Sequence, residues 1–240
     1  MEAYIKRCPR GEQENHGEYA YRFLRSCVMS FRLKPGDLIN EAELSQLLNI
    51  SRTPVHEAIL RLRSEGLVDV IPRRESKVSR IDISLVNEGV FLRSCVEPKV
   101  MMLARGNLPP SAIKALLENL QKQRSLIDNM AVGEFNQIDD EFHRIIYRAI
   151  GKESIFTHLR TAYTHLDRIR ELIRIECSLE SMEVSLSEHL RLFEYAAFNA
   201  MPDGGIERHV NAHIIRYQDN MSALISAYPD YFSFEERKSP

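Results

Sequence analysis

SRTPVHEAILRL, residues 51–62, is the stretch that decides the fold of the N-terminal part of this 240-residue chain. Its apolar residues Val55, Ile59 and Leu62 recur at the spacing of one helix face. A proline in the first turn of a helix, here Pro54, costs no backbone hydrogen bond. The stretch therefore predicts an amphipathic helix with short polar and basic side chains in its first turn.

The flanking sequence completes a small domain around this helix. Helical spacing precedes it in residues 18–28, and a second helix is expected from Asn40, with Glu43 three residues later as in a capping box. Residues 67–71 and 76–81 are short and β-branched or alternating, which predicts two strands joined by a turn. Three helices and a two-stranded wing are typical of a winged helix-turn-helix.

The rest of the chain predicts helices only. Helical spacing recurs in segments separated by short breaks: 84–106, 110–130, 132–150, 153–176, 179–199 and 204–227. We therefore predict a mainly α protein, in which a winged helix-turn-helix is followed by an all-α antiparallel bundle. The expected domains are a flexible N-terminal tail at 1–15, the winged helix-turn-helix at 16–81, a ligand-binding and dimerisation bundle at 82–228 and a C-terminal tail at 229–240.

Composition and charge indicate two parts with different partners. No apolar run approaches the ~20 residues of a membrane helix, and the N-terminus lacks the apolar core of a signal peptide, so we expect a cytoplasmic protein with no membrane partner. Residues 1–80 hold 14 Lys/Arg and 11 Asp/Glu, a net of +3, whereas residues 81–240 hold 18 and 23, a net of −5. The four cysteines are widely spaced and are expected to be reduced thiols.

The polar start of the quoted helix suits DNA. A helix that enters the major groove needs short polar and basic side chains at its N-terminal end, and an arginine can make two hydrogen bonds to guanine. Basic side chains of a wing can hold phosphates or enter the minor groove. The alternative is a winged helix that serves as a protein-binding adaptor. The residues expected at DNA are Ser51, Arg52, Thr53, His56 and Arg61 on the helix and Arg73, Arg74 and Lys77 in the wing.

Histidines in the C-terminal part suggest a metal site. Asp139 and His143 are four residues apart and share one helix face. His189 lies in another predicted helix, and His209 and His213 are again four residues apart in the last one. A carboxylate and imidazoles that converge from three helices suit a divalent transition metal. Ordinary surface or hydrogen-bonded histidines are the alternative.

Residues 21–78 resemble the DNA-binding domain of the GntR family of transcription regulators. The matching sequence is LKPGDL at 33–38, SRTPV at 51–55 and EGLV at 65–68, together with Glu41, Leu44, Leu47, Glu57, Ala58, Arg61 and Leu62. The resemblance implies a protein that binds operator DNA. The chain departs from the family at His56, usually Arg, and at Glu75, usually Gly at the wing tip. Because a carboxylate repels phosphate and glycine permits backbone approaches that Glu75 does not, the resemblance implies the fold but does not fix operator sequence or affinity.

Residues 86–220 resemble the FCD ligand-binding domain of the FadR subfamily of GntR regulators. Asp139 and His143 match its D-x-x-F-H motif, His189 matches the Glu-His opening of a later helix, and His213 matches the final histidine. The resemblance implies that these four residues bind a divalent metal, Zn²⁺ in the first place, with Ni²⁺ and Mn²⁺ as alternatives. An insertion at residues 202–205 makes His209 the alternative fourth ligand.

The same resemblance implies an effector and a dimer. Arg93 fits the first helix of that domain, and Arg168 and Arg170 lie in a matching segment. An arginine clamps a carboxylate with two hydrogen bonds, so we expect a small carboxylate effector. We further expect a homodimer on an inverted repeat, acting as a repressor. A metalloenzyme is the alternative, but the sequence has no H-E-x-x-H, and we therefore predict no enzyme.

Overall fold

The structure is a computed structural model that describes residues 2–6, 8–70, 76–200 and 205–234. It divides into two compact units, residues 1–86 with 225–240 and residues 87–224. Arg73, Arg74 and Glu75 of the predicted wing turn lie outside the described residues, so their contacts with DNA stay predictions.

The first unit contains short helices and strands from both ends of the chain. Its helices are α1 (Glu2–Ile5), α2 (His16–Met29), α3 (Glu41–Leu48) and α4 (Arg52–Ser64). Its strands are β1 (Leu38–Ile39), β2 (Val68–Val70), β3 (Ser76–Val78), β4 (Ile81–Asp82) and β5 (Phe232–Ser233), and a 3₁₀ turn spans Pro229–Tyr231. Strands β1, β3 and β2 form an antiparallel sheet in that order, whereas β4 and β5 pair in parallel.

Local capping sets the starts of the first helices. Asn15 and Glu18 form a reciprocal capping box at α2. The Asn40 side chain accepts hydrogen bonds from the backbone N–H groups of Ala42 and Glu43, at 2.9 and 3.3 Å, which confirms the predicted N-cap. Glu43 accepts from the Asn40 side chain and not from its backbone, so the predicted capping box is not complete. Asn49 ends α3 in the left-handed conformation.

The apolar face of α4 packs against α2 in the core of this unit. Phe23, Leu24 and Val55 are fully buried, and so is Leu62. The sequence predicts a flexible tail over residues 1–15, but the structure has helix α1 there, and the Tyr4 ring lies 5.8 Å from the Phe23 ring. An aromatic side chain that covers part of the apolar core explains the difference.

The second unit consists of helices. They are α5 (Ile83–Ala104), α6 (Pro110–Asp128), α7 (Val132–Ala149), α8 (Glu153–Ala162), α9 (Thr164–Glu176), α10 (Ser178–Phe198), α11 (Gly205–Ile215) and α12 (Gln218–Ala227), of which α5 and α12 extend across the boundary between the units. Two of the six predicted helical segments are each divided in two, at Tyr163 and at residues 216–217. Neither break contains proline or glycine, so spacing alone does not reveal it.

The core of this unit lies between α6, α7 and α10. Leu116, Phe142 and Leu192 are buried there with at most 1% exposure. These apolar faces fix the rotation of each helix, which determines the direction of the polar side chains that remain inside. In the described part of the chain, no helix is long and apolar enough to cross a membrane.

Candidate metal centre and nucleic-acid interface

The first turn of α4 presents a polar face to solvent. Ser51 is the N-cap residue and makes no side-chain capping hydrogen bond, and Arg52, Thr53 and His56 are exposed. The N-terminus of a helix offers unpaired N–H groups that suit phosphate. The four predicted DNA contacts of this turn therefore share one accessible surface.

His56 is held by the preceding helix. Its Nδ1 lies 2.8 Å from Glu41 Oε1 on α3. An ionised carboxylate only accepts hydrogen bonds, so the proton of this contact belongs to Nδ1. The contact joins α3 and α4 at the surface where the sequence predicted base recognition.

Two other predicted DNA residues lie apart from this turn. The Arg61 guanidinium stacks on the Tyr21 ring, 3.6 Å from the ring centre. Positions 52 and 61 lie on opposite sides of α4, because nine residues correspond to about two and a half helical turns. The Tyr21 hydroxyl donates to Glu65, which also accepts from Arg25. Arg61 is thus occupied at the contact between α2 and α4. Lys77 is half-buried on the central strand β3.

Three of the predicted ligand histidines converge inside the second unit. His143 on α7, His189 on α10 and His213 on α11 each offer a ring nitrogen, and these nitrogens lie within 4.8 Å of one another. The ring centres are 5.2 to 5.4 Å apart. His209 Nε2 instead lies 3.5 Å from the backbone oxygen of Glu188, so His213 rather than His209 joins the cluster.

Asp139 borders the cluster from one turn before His143. Its two carboxylate oxygens lie 4.0 Å from His143 Nε2 and 3.8 Å from His189 Nε2. Arg170 and Arg174 both donate to this carboxylate. Burial opposes its ionisation, but the charges of these neighbours outweigh burial and hold the pKa of Asp139 well below its usual value. Asp139 is therefore an anion beside the imidazoles.

A chain of hydrogen bonds fixes the proton on His189. The backbone oxygen of residue 138 can only accept, and it accepts from Asn119 Nδ2 at 2.9 Å. Asn119 Oδ1 accepts from Gln123 Nε2 at 2.7 Å, which directs Gln123 Oε1 to His189 Nδ1 at 2.8 Å. His189 Nδ1 must therefore carry the proton, and in the neutral ring Nε2 has the lone pair.

Two ring nitrogens of the cluster are available to bind a metal ion. Among the described residues, none bonds to the buried Nε2 atoms of His143 and His189. Burial lowers the pKa of all three histidines, which favours neutral rings. His213 Nδ1 pairs with Glu188 Oε2 at 2.6 Å. His189 and His213 thus have the form that binds a metal ion, a neutral imidazole whose other nitrogen is held by a hydrogen bond, so this donor set fits one.

A cavity of about 390 Å³ adjoins the cluster. Arg93, on its wall, donates to Glu97 at 2.6 and 3.2 Å. Arg168 is fully buried and is not among the described residues that line the cavity, whereas Arg170 is. This separation agrees with the different directions of side chains two residues apart on a helix. The charged residues that line the cavity, apart from the histidine, are Arg93, Asp139, Arg170, Arg174, Glu180, Arg216 and Asp219.

Sequence reasoning missed Arg174 and Arg216. Arg174 lies four residues after Arg170 and shares its helix face, so the sequence spacing could have identified it as a cavity residue. Burial, together with the charges of Arg170 and Arg216, lowers the pKa of Arg174 to about 10 although Asp139 opposes the shift. Arg216 follows α11 at the break that the sequence did not predict, and no pattern identified it.

The sequence of each unit matches a known protein family. Two family profiles match the sequence, "Bacterial regulatory proteins, gntR family" at residues 17–78 and "FCD domain" at residues 88–215. The chain is 28% identical over 215 residues to the HTH-type transcriptional repressor RspR of Escherichia coli strain K12, covering 90% of this chain and 92% of that protein. It is 30% identical over 220 residues to an uncharacterized HTH-type transcriptional regulator of Streptomyces ambofaciens, covering 92% and 91%.

A solved structure supports the fold. E. coli McbR/YncC aligns with a TM-score of 0.69, at 22% identity, over 89% of this chain and 99% of that one. This likeness concerns the fold alone. It agrees with a winged helix-turn-helix followed by a helical domain.

Proposed function

The chain belongs to the GntR family of bacterial regulatory proteins and carries an FCD domain, and from that premise we propose that it is a repressor whose operator affinity is set by a small carboxylate bound beside a divalent metal ion. Membership makes it a DNA-binding transcription regulator and not an enzyme. The relative RspR is named a transcriptional repressor, which supports repression rather than activation by this chain. Because this chain binds DNA, we propose that it acts in the cytoplasm.

The observation that supports the metal is the set of three imidazoles with ring nitrogens within 4.8 Å. His143, His189 and His213 would hold the ion together with Asp139, whose carboxylate adjoins them. Zn²⁺ is the ion we propose first, with Ni²⁺ and Mn²⁺ as alternatives, because imidazole and carboxylate donors suit all three. When bound, the ion supplies positive charge for an anionic oxygen of the effector.

Two arginines would bind the effector in the cavity. Arg93 and Arg170 line it, and a guanidinium matches the two oxygens of a carboxylate. We assign Arg168 no contact with the effector because it does not line the cavity.

The DNA-binding surface would be the first turn of α4. Arg52 would contact a base, Ser51 and Thr53 would position the helix on phosphates, and His56 would act with Glu41. We propose a homodimer on an inverted repeat, in which two copies of this helix enter successive turns of the major groove. The effector must bind the DNA-free conformation more tightly in order to release the operator.

Fluorescence anisotropy tests this function. A labelled fragment from upstream of the chain's own gene is titrated with Zn²⁺-loaded protein, without and with a panel of small organic acids, and again with chelator. We expect at least one acid to weaken operator binding about tenfold or more, in line with typical allosteric couplings, in the metal-loaded protein only.

A matched pair of variants completes the test. His189→Gln is expected to abolish the response, whereas His158→Ala, at an exposed histidine of α8, is expected to keep it. Operator affinity that no acid changes, or that changes equally with chelator present, would refute the proposal.

A further inference from the structure

Two guanidiniums, one on α9 and one just after α11, converge on one fully buried serine. Arg174 Nη2 of α9 lies 3.4 Å from Ser185 Oγ, and Arg216 Nη2 lies 2.9 Å from the same oxygen. Both arginines line the cavity. Two like charges held this close repel each other, so the arrangement favours an anion that contacts both.

The acids beside these arginines are shared with other groups. Asp139 accepts from Arg174 at 3.1 Å and also from Arg170, and it is a ligand under the proposed function. Glu188 lies 2.8 Å from Arg216 Nη1 and also binds His213. Asp139 therefore divides its charge between two guanidiniums, and Glu188 accepts from a neutral imidazole as well as pairing with Arg216.

Arg216 is held in place by two contacts. Its Nη1 lies 2.8 Å from Glu188 Oε2, and its Nη2 lies 2.9 Å from Ser185 Oγ. These contacts hold the guanidinium on the wall of the cavity, which Arg174 also lines.

The surroundings of the pair suit an organic anion. The cavity volume of about 390 Å³ lies within the usual range for small-molecule sites. Ile173, Val184 and Ile214 line it with the arginines, and Ser181 adds a hydroxyl. An apolar wall beside paired cations favours a short carbon chain that ends in a charged group.

We propose that Arg174 and Arg216 form a second anion subsite, so that the effector is a dicarboxylate with one carboxylate at the metal and a second at this arginine pair. The inference rests on the proposed function, since it assumes that the first carboxylate binds beside the histidines. It adds a requirement for a second charge on the same ligand.

Matched acids isolate the second charge. Isothermal titration calorimetry on the Zn²⁺-loaded full chain compares butanoate with succinate, 2-hydroxybutanoate with malate, and pentanoate with glutarate, where each pair differs in a terminal methyl group replaced by carboxylate. We expect at least one dicarboxylate to bind about tenfold or more tightly than its partner, as one charge-assisted contact provides. Glycerate and 3-phosphoglycerate form a further pair, and a preference confined to the phosphorylated acid would overturn the dicarboxylate assignment.

Variants connect the preference to the arginine pair. Arg216→Gln and Arg174→Gln are expected to lower dicarboxylate affinity to that of the monocarboxylate partner, whereas Arg216→Lys should retain part of the preference. Arg208→Gln, at an exposed arginine of α11, is the matched control and should change nothing. Circular dichroism melting identifies any variant that fails to fold.

The outcomes separate the two proposals. If acids bind but each pair binds equally, or if the preference survives in both glutamine variants, the second subsite is refuted while the proposed function stands. If no acid binds the metal-loaded protein, the proposed function fails and this inference fails with it.

Discussion

Replacing Gln123 by leucine tests the hydrogen-bond chain that sets the His189 proton. Gln123 is fully buried, and it accepts from His189 Nδ1 at 2.8 Å and donates to Asn119 Oδ1 at 2.7 Å. Leucine has a similar size and no polar atoms. The substitution therefore removes both hydrogen bonds without opening a large cavity.

The expected loss of stability follows from the two groups left behind. Each buried polar group without a partner costs about 1–3 kcal/mol. The leucine side chain recovers about 1.5–3 kcal/mol of that by its own burial. We expect a net loss of about 2 kcal/mol in the free energy of unfolding of the metal-free protein.

Metal affinity should fall as well, because the His189 ring loses the partner that orients it. Losing a hydrogen-bond partner of a metal ligand typically costs about 10- to 100-fold in affinity. Urea unfolding followed by circular dichroism measures stability, and calorimetric titration with Zn²⁺ measures affinity. Gln121→Leu, at an exposed position of the same helix, is the control and should stay within about 0.5 kcal/mol of the parent. If Gln123→Leu matches this control in both measurements, the reasoning is wrong.

Three more outcomes are expected. Arg52→Ala abolishes specific operator binding in a gel-shift titration while binding to unrelated DNA at low salt persists, and an unchanged footprint would exclude its role. His213→Ala weakens Zn²⁺ binding strongly and His209→Ala does not, and the reverse order would assign the fourth ligand to His209. Stability of the metal-free protein falls as pH drops below about 6.5, because burial lowers the pKa of the three clustered histidines and the unfolded chain then binds more protons than the folded one. The urea midpoint at pH 7.5 and pH 5.5 checks this sign, and a midpoint that rises at pH 5.5 would contradict it.

Residue spacing predicted the elements whose signal lies within one helix. Val55 and Leu62 define the buried face of α4, and the face opposite them therefore had to be the exposed one. Asp139 and His143 were placed on one side of α7 by their four-residue separation. In both helices, the apolar residues alone determine which side chains face solvent and which face the core of the unit.

Spacing did not predict contacts between distant segments. Asn119 and Gln123 are polar residues on the buried face of α6, and this pattern could have identified them as hydrogen-bonded core residues. Apart from each other, their partners lie on α7 and α10, however, and one of those partners is a backbone oxygen. The short strands β4 and β5 pair across about 150 residues of sequence, and two-residue strands are too short to show alternation.

X-ray absorption at the zinc edge of the Zn²⁺-loaded full chain tests the central claim most directly, since it reports which atoms surround the ion. Three imidazole nitrogens with oxygen as the remaining donor are expected, and His189→Gln should remove one imidazole from the count. A spectrum with sulfur at the ion, or with fewer than three imidazoles, would contradict the claim that the histidines of α7, α10 and α11 share one metal.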